Sequence, residues 1–193
     1  MAKIVLLSGS VRRDSLNAAV LRTVRRLVHE RPGPVPGGHD VAVLEAGRLP
    51  LYDGDLEQSG GTAVVEESKD LVRDADALFI STPSYNGEMP GALKNALDWL
   101  SRPSGDSPLA GLTVAVLSAS PGARGALDAQ PALTGVLARC GAHVVDHEPV
   151  AIGNAHELRR ADGEFTEPSV VAALGGLVDA TLAALPRPAV AHR

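Results

Sequence analysis

The chain has 193 residues, 45% hydrophobic and 21% charged, values of an ordinary globular domain that exclude intrinsic disorder and a fibrous repeat. Its 18 Lys and Arg stand against 23 Asp and Glu, and the net charge of −5 supplies no field for a nucleic acid or an anionic membrane surface. One cysteine, Cys140, excludes an intramolecular disulfide framework and a Cys-rich metal site, as suits a reducing compartment.

Met1-Ala2-Lys3 leads directly into a first strand, Lys3 to Leu7, which is too short for the hydrophobic region of a secretory leader. With no run of about 18 apolar residues anywhere, the cytoplasm is the expected location. Leu16, Val20, Val24, Leu27 and Val28 follow at helical spacings of three and four, and Pro32-Gly33 stops that helix. Pro32 to Gly38 reads as a loop. A second strand is expected from His39 to Leu44, a helix from Ala63 to Arg73 and a third strand from Ala77 to Ser81. Pro90, tolerated in a first turn, opens a helix to Leu100 with Leu93, Leu97 and Leu100 on one stripe. Leu112 to Leu117 is the fourth strand, Pro131 to Cys140 the next helix with Gly141 as its stop, and Ala142 to Val145 the fifth strand, extending toward Ile152. Val170, Leu174, Leu177, Val178, Leu182 and Leu185 mark a last helix from Pro168 to Leu185, after which residues 186–193 are expected to be a disordered tail.

Strands alternating with helices argue for βαβ units on one parallel sheet. Right-handed crossovers leave few arrangements. The expected one is a single α/β domain over residues 1–185, a flavodoxin-like three-layer sandwich whose five-stranded parallel sheet runs in the order 2-1-3-4-5. In that order the ligand crevice lies beyond the carboxyl ends of strands 1, 3 and 4, so the loops at 8–17, 82–90 and 118–125 carry the functional information.

The first loop, Ser8-Gly9-Ser10-Val11-Arg12-Arg13-Asp14-Ser15-Leu16-Asn17, opens onto a helix N-terminus. Free N–H groups, the helix dipole, the Ser10 and Ser15 hydroxyls and the Arg12 guanidinium there suit a phosphate. A cap by Asp14 or Ser15 beside solvated arginines explains the same residues. The loop holds neither G-x-G-x-x-G nor G-x-x-x-x-G-K-[ST], which speaks against a Rossmann dinucleotide site and a P-loop, and it lacks the clustered carboxylates of a receiver domain. The second loop places Tyr85, one of only two tyrosines, beside Asn86 and Gly87, a set able to flank and bond a flat heteroaromatic ring. A plain Asn-Gly turn before a helix is the alternative. Ser118-Ala119-Ser120-Pro121-Gly122-Ala123-Arg124-Gly125 is small and polar and would close the other side of such a ring.

Gly9-Ser10-Val11-Arg12 with Ser15 and Asn17 resembles the G-S-x-R-x-x-S-x-N phosphate loop of the NADPH-dependent FMN reductase family, which includes quinone, azo-dye and chromate reductases. Pro83-x-Tyr85-Asn86-x-x-x-Pro90-x-x-Leu93-Lys94-Asn95-x-x-Asp98-Trp99 resembles its flavin-ring loop and the following helix, and Ser118-x-Ser120-x-Gly122 with Gln130 resembles its third loop. The similarity spans residues 3–145. It implies that Ser10, Arg12, Ser15, Leu16 and Asn17 hold an FMN phosphate, that Pro83, Ser84, Tyr85, Asn86 and Gly87 line the isoalloxazine ring, and that Ser118, Ser120 and Gly122 lie opposite. It also implies NADPH as hydride donor, a small-molecule electron acceptor such as a quinone, an azo dye or free flavin, and a homodimer or homotetramer. The chain departs from the pattern at Ser84, where Glu is frequent, at Gly125-Ala126, where Gly-Gly is frequent, and at Leu112, where Lys is frequent.

FMN performs the redox chemistry in such an enzyme, so no catalytic acid or base is required, and a single domain with one open ring face implies ping-pong transfer. An exposed Trp99 on the helix after the ring loop is the expected subunit contact. His143 and His147, on a strand, would stand about 13 Å apart, too far to share an ion; His29, His39 and His156 are expected in solvent, and no metal site is expected. Ser118 to Gly122 lacks the first glycine of a hydrolase nucleophile elbow. Cys140, ending an apolar helix, reads as a small hydrophobe. The competing class is a non-enzymatic FMN electron carrier or flavin-sensing module; Arg12 in the first loop speaks against a flavodoxin carrier, and steady NADPH consumption separates the two.

Overall fold

In the computed structural model, which describes residues 1–32 and 38–185, one parallel sheet is built from β1 Lys3–Ser8, β2 Asp40–Leu44, β3 Ala77–Thr82, β4 Thr113–Ala119, β5 His143–Val144 and β6 Val150–Ile152. Its order is β2-β1-β3-β4-β5, with β6 also paired to β4, the flavodoxin-like arrangement that the alternation of elements implies. The fifth position is therefore filled in two pieces. Val114 pairs with Val144 and Leu117 with Val150, so six residue steps on the outer chain match three on β4. The three extra residues fall within Asp146-His147-Glu148-Pro149, whose polar side chains gain nothing from the core and whose proline has no N–H for the ladder.

Period-two alternation along the strands sends side chains into two separate cores. Ile4, Leu6, Phe79, Ala115 and Leu117 meet α1 Leu16–His29 and α7 Pro168–Ala184, through Val20, Val24, Leu27, Leu174, Leu177 and Val178. Val5, Leu7, Leu78, Ile80, Val114 and Val116 face the other way, against Val65 and Val72 of α3 Ala63–Arg73, Leu93, Leu97 and Leu100 of α4 Gly91–Leu100, and Leu133 and Leu137 of α5 Gln130–Arg139. Two short helices, α2 Gly54–Gln58 and α6 Ala155–Leu158, carry no apolar period and were invisible to pattern reading. The expected tail at 186–193 and residues 33–37 of the expected loop lie outside the described residues.

Two expectations are corrected here. Trp99 is not at the surface: it is 0% exposed, its indole N–H donates to the Pro50 carbonyl at 2.9 Å, and Tyr52 meets its ring edge-on at 5.0 Å. The helical stripe placed Leu93, Leu97 and Leu100 inward, but only the fold shows that the 50–52 segment crosses over the flank of α4, where Asn95 also donates to the Pro50 carbonyl at 2.8 Å. A solvent-facing tryptophan therefore gives no ground for a subunit contact. His39 is buried rather than solvated, and both its ring nitrogens lack a hydrogen-bond partner among the described residues. His39 directly precedes β2, two residues from Val41, which belongs to the core beneath α1 and α7.

The register fixes where ligands can meet the sheet. Ser8 pairs with Ser81, and Thr82 pairs with Ser118, so β1, β3 and β4 end level with one another. Their three following loops gather at one edge, the crevice that such a strand order creates. No helix among the described residues is long and apolar enough to cross a membrane.

Candidate functional site

The first loop is organised by hydroxyls. Ser15 has extended backbone angles and its hydroxyl accepts from the Ala18 N–H at 3.1 Å, an N-cap contribution of about 1 kcal/mol to α1. The capping reading of Ser15 is thus realised, while its other hydroxyl capacity remains toward the cleft and Ser8, 3.5 Å away. Ser8 donates to the Ser10 carbonyl at 3.1 Å and accepts from the Ser10 N–H at 3.2 Å, which curls the loop back on itself. The first turn of α1 holds no acidic residue, so the positive end of its dipole is not neutralised from within the helix. Arg12 is exposed and makes no ion pair among the described residues.

Asn17, second in α1 and buried, joins the three loops. Its Oδ1 accepts from the Ser81 hydroxyl at 2.8 Å and from the Ala119 N–H at 3.1 Å, and its Nδ2 donates to the Ala119 carbonyl at 3.1 Å. Both lone pairs and one of two N–H donors are thereby engaged, which leaves one donor for a ligand.

The second loop leaves β3 through Pro83 and Ser84 to a tight turn. Tyr85 and Glu88 exchange backbone bonds of 2.9 and 3.2 Å around Asn86 and Gly87, both at positive φ (56° and 87°), the Asn-Gly signature of a type I′ turn. Asn86 and Gly87 therefore shape the turn, and the part offered to the cleft is the Tyr85 ring, 47% exposed. Ser84 donates to the Asp128 carboxylate at 3.2 Å and so links the second loop to the third.

In the third loop Ser118 is buried and accepts from Gln130 Nε2 at 2.8 Å; Gln130 also donates to the Val150 carbonyl at 2.9 Å. These two residues anchor α5 to β4 and β6 beneath the site. Ser120 donates to the Gly122 carbonyl at 3.2 Å and lines the cleft. Gly153 seats the loop on β6, since a Cβ there would overlap the Ala123 carbonyl. Ala126 adopts a left-handed backbone with φ 62°, a cost of about 1 kcal/mol that a glycine at this place would avoid.

The loops enclose a cleft of about 280 Å³. Ser10, Arg12, Ser15, Leu16 and Asn17 line it from the first loop, Pro83, Ser84 and Tyr85 from the second, and Ala119, Ser120 and Pro121 from the third. Asn86, Gly87, Ser118 and Gly122 do not reach it. Asp14, His156 and Arg159 do, and none of the three was expected as a ligand-facing group. The last two follow β6, beyond residues 3–145 that carry the recognised motifs; the His/Arg-containing segment His156-Glu157-Leu158-Arg159-Arg160 was the signal available. Cys140 caps α5 at its C-terminus, half-buried, and burial pushes its thiol up, away from a reactive thiolate. Among the described residues no three His, Cys, Asp or Glu side chains gather as a metal site.

A helix N-terminus with no acidic residue in its first turn, serine hydroxyls and a guanidinium without a carboxylate partner among the described residues form a donor set that suits a phosphate monoester, and Tyr85 supplies an aromatic surface at the same cleft. A flavin mononucleotide fits this chemistry. The family model described as NADPH-dependent FMN reductase matches residues 2–157. An NAD(P)H-dependent FMN reductase of Pseudomonas aeruginosa is 36% identical over 165 residues, 86% of this chain and 85% of that protein. A 2-hydroxy-1,4-benzoquinone reductase of a Burkholderia species is 42% identical over 136 residues, 70% of each. Among solved structures, the flavoenzyme NAD(P)H:(acceptor) oxidoreductase FerB of Paracoccus denitrificans superposes with a TM-score of 0.83 at 33% identity, covering 95% of this chain and 96% of that one.

Replacing Asn17 with Ala strands the Ser81 hydroxyl and both polar groups of Ala119 in a buried setting. Urea unfolding of Asn17→Ala should show a loss on the order of 3 kcal/mol; an unchanged unfolding midpoint would contradict the joining role.

Proposed function

The chain belongs to the NADPH-dependent FMN reductase family and is an oxidoreductase that uses FMN and NAD(P)H; on that premise we propose that its three-loop cleft binds one FMN per chain and reduces quinones, azo dyes, free flavin or similar small acceptors. The observation that carries the proposal is Arg12, a guanidinium without a carboxylate partner among the described residues, in a cleft that also holds the α1 N-terminus and Tyr85. Ser10, Arg12, Ser15 and the N–H groups of the first turn would hold the phosphate. Pro83, Ser84 and the Tyr85 ring would line the isoalloxazine, with Ala119, Ser120 and Pro121 on the remaining side. When bound, FMN supplies hydride and electron transfer between a reduced nicotinamide and an acceptor.

The protein's own part is to bind, orient and exclude. Tyr85 offers a flat apolar face, the Ser84 to Asp128 bond holds the second and third loops together, and Asn17 keeps both at a set distance from the first. Asp14 and His156 stand at the exposed rim, and among the described residues lining the cleft no acid or base is buried. Discrimination then rests on shape and reduction potential, so acceptor range should be broad. Donor and acceptor would then enter this cleft by the same mouth in turn. A homodimer or homotetramer in the cytoplasm is part of the proposal, and with Trp99 buried its support passes to exposed apolar side chains, Leu51 at 83% exposure and Tyr85.

Double-reciprocal plots for NADPH at several fixed quinone concentrations should give parallel lines; intersecting lines would mean a ternary complex and a separate acceptor pocket. Arg12→Ala should weaken FMN binding by about 1.5 to 3 kcal/mol, the scale of a hydrogen bond to a charged group. Riboflavin, which has no phosphate, should be indifferent to that change, and fluorescence titration of both flavins checks it. Equal FMN affinity in variant and parent would remove the phosphate assignment.

A further inference from the structure

Arg159 lies outside every motif that the family resemblance contains, yet its side chain lines the same cleft as Arg12. Its placement is built in. The Asn154 N–H donates to the Gly122 carbonyl at 3.2 Å and the Ala155 N–H to the Ser120 carbonyl at 3.1 Å, so α6 starts directly on the third loop. After one turn Arg159 closes α6, its N–H bonded to the Ala155 carbonyl at 3.1 Å and its backbone extended. It then bridges to Phe165, a fully buried residue whose N–H donates to the Thr23 hydroxyl on α1 at 3.0 Å. Glu164 beside it pairs with Arg26 of α1 at 2.9 Å. The backbone that carries Arg159 is thus fastened to the third loop at one end and to α1 at the other.

The guanidinium itself is underused. Its only hydrogen bond among the described residues runs from Nη1 to the Asp14 carbonyl, at 3.4 Å, in the loop that leads into α1. A guanidinium has five N–H donors, and no carboxylate stands within ion-pair distance of this one among the described residues. Asp14 lines the cleft with its carboxylate paired to neither Arg12 nor Arg159. Two cations sharing one cleft beside the positive end of a helix repel one another, and a dianion between them removes that penalty.

We infer that Arg159 is a second phosphate-binding guanidinium of this cleft and that, with Arg12, it makes the site select phosphorylated over unphosphorylated flavins. The inference rests on the reading of the cleft as a flavin site and adds a residue to it. A phosphate monoester near neutral pH carries about −1.5 to −2 charges and three acceptor oxygens, enough to engage both guanidinium groups and the helix N–H groups together. Riboflavin presents a neutral hydroxyl at that end and gains little from either arginine.

Flavin fluorescence titration of the full chain, as Arg159→Gln and as the parent, tests this without any turnover. Glutamine keeps an N–H for the Asp14 carbonyl and removes the charge; Arg159→Met repeats the comparison should the glutamine variant unfold. The FMN dissociation constant should rise on the order of tenfold, riboflavin binding should stay as in the parent, and the dependence of FMN affinity on salt should become shallower. Unchanged FMN affinity, or an equal loss for both flavins with the salt dependence retained, overturns the assignment, the second outcome marking a purely structural role. If Arg12→Ala weakens FMN selectively and Arg159→Gln does not, only the Arg159 inference fails. A parent that binds neither flavin overturns it and the flavin-site reading together.

Discussion

The carboxamide of Asn17 holds together what the backbone leaves separate. Parallel strands end at a common edge, but nothing in their ladders sets the spacing between the loops that follow them. Asn17 bonds from the first turn of α1 to Ser81 at the end of β3 and to both polar groups of Ala119 at the end of β4. Because all of these atoms are buried, each bond is protected from water and each unmade bond would carry a desolvation penalty. The N-terminus of α1 is therefore fixed relative to the second and third loops before any ligand arrives, and the ordering cost of binding is correspondingly small.

Polar groups around the cleft divide by what they touch. Ser8, Ser15, Asn17, Ser118 and Gln130 are bonded mostly to the protein and set the positions of loops and helices. Arg12, Arg159 and Tyr85 line the cleft, and among the described residues their side chains have no ion pair and no side-chain hydrogen-bond partner. Ser15 and Asn17 thus hold the loops in place and line the cleft as well. The same division accounts for Ala126 in its left-handed backbone: the third loop accepts local strain because β6, through Gly153, and α6 dictate where it must run.

Fold class and strand order were legible because the central strands carry near-continuous apolar residues and the long helices an apolar stripe, as at Val20, Val24 and Leu27. The first loop was legible for a local reason, since Ser15, Asn17 and Arg12 sit within one turn of a helix start. What stayed hidden depended on contacts distant in sequence. Burial of Trp99 needs Pro50, burial of His39 needs the core beneath α1, and the arrival of Arg159 at the cleft needs the double pairing of β4 with β5 and β6. The interrupted fifth strand was only half legible: an extension from Val145 toward Ile152 was expected, but not that the chain breaks and that Val150 to Ile152 rejoin the same neighbour. Asn86 and Gly87 illustrate the limit of a motif: an Asn-Gly pair serves a turn and a ring contact with the same two letters, and their positive φ angles establish the turn without bearing on the contact.

The claim on which the whole account turns is that one flavin sits on each chain and is reduced there by a nicotinamide. The most direct measurement is an anaerobic visible spectrum of the protein saturated with FMN and freed of excess, recorded before and after one equivalent of NADPH. One FMN should be retained per chain, its visible absorption should bleach on addition of the reductant, and a quinone should restore the colour. A protein that retains no FMN, or one whose bound flavin keeps its oxidised spectrum in the presence of both NADPH and NADH, would contradict that claim.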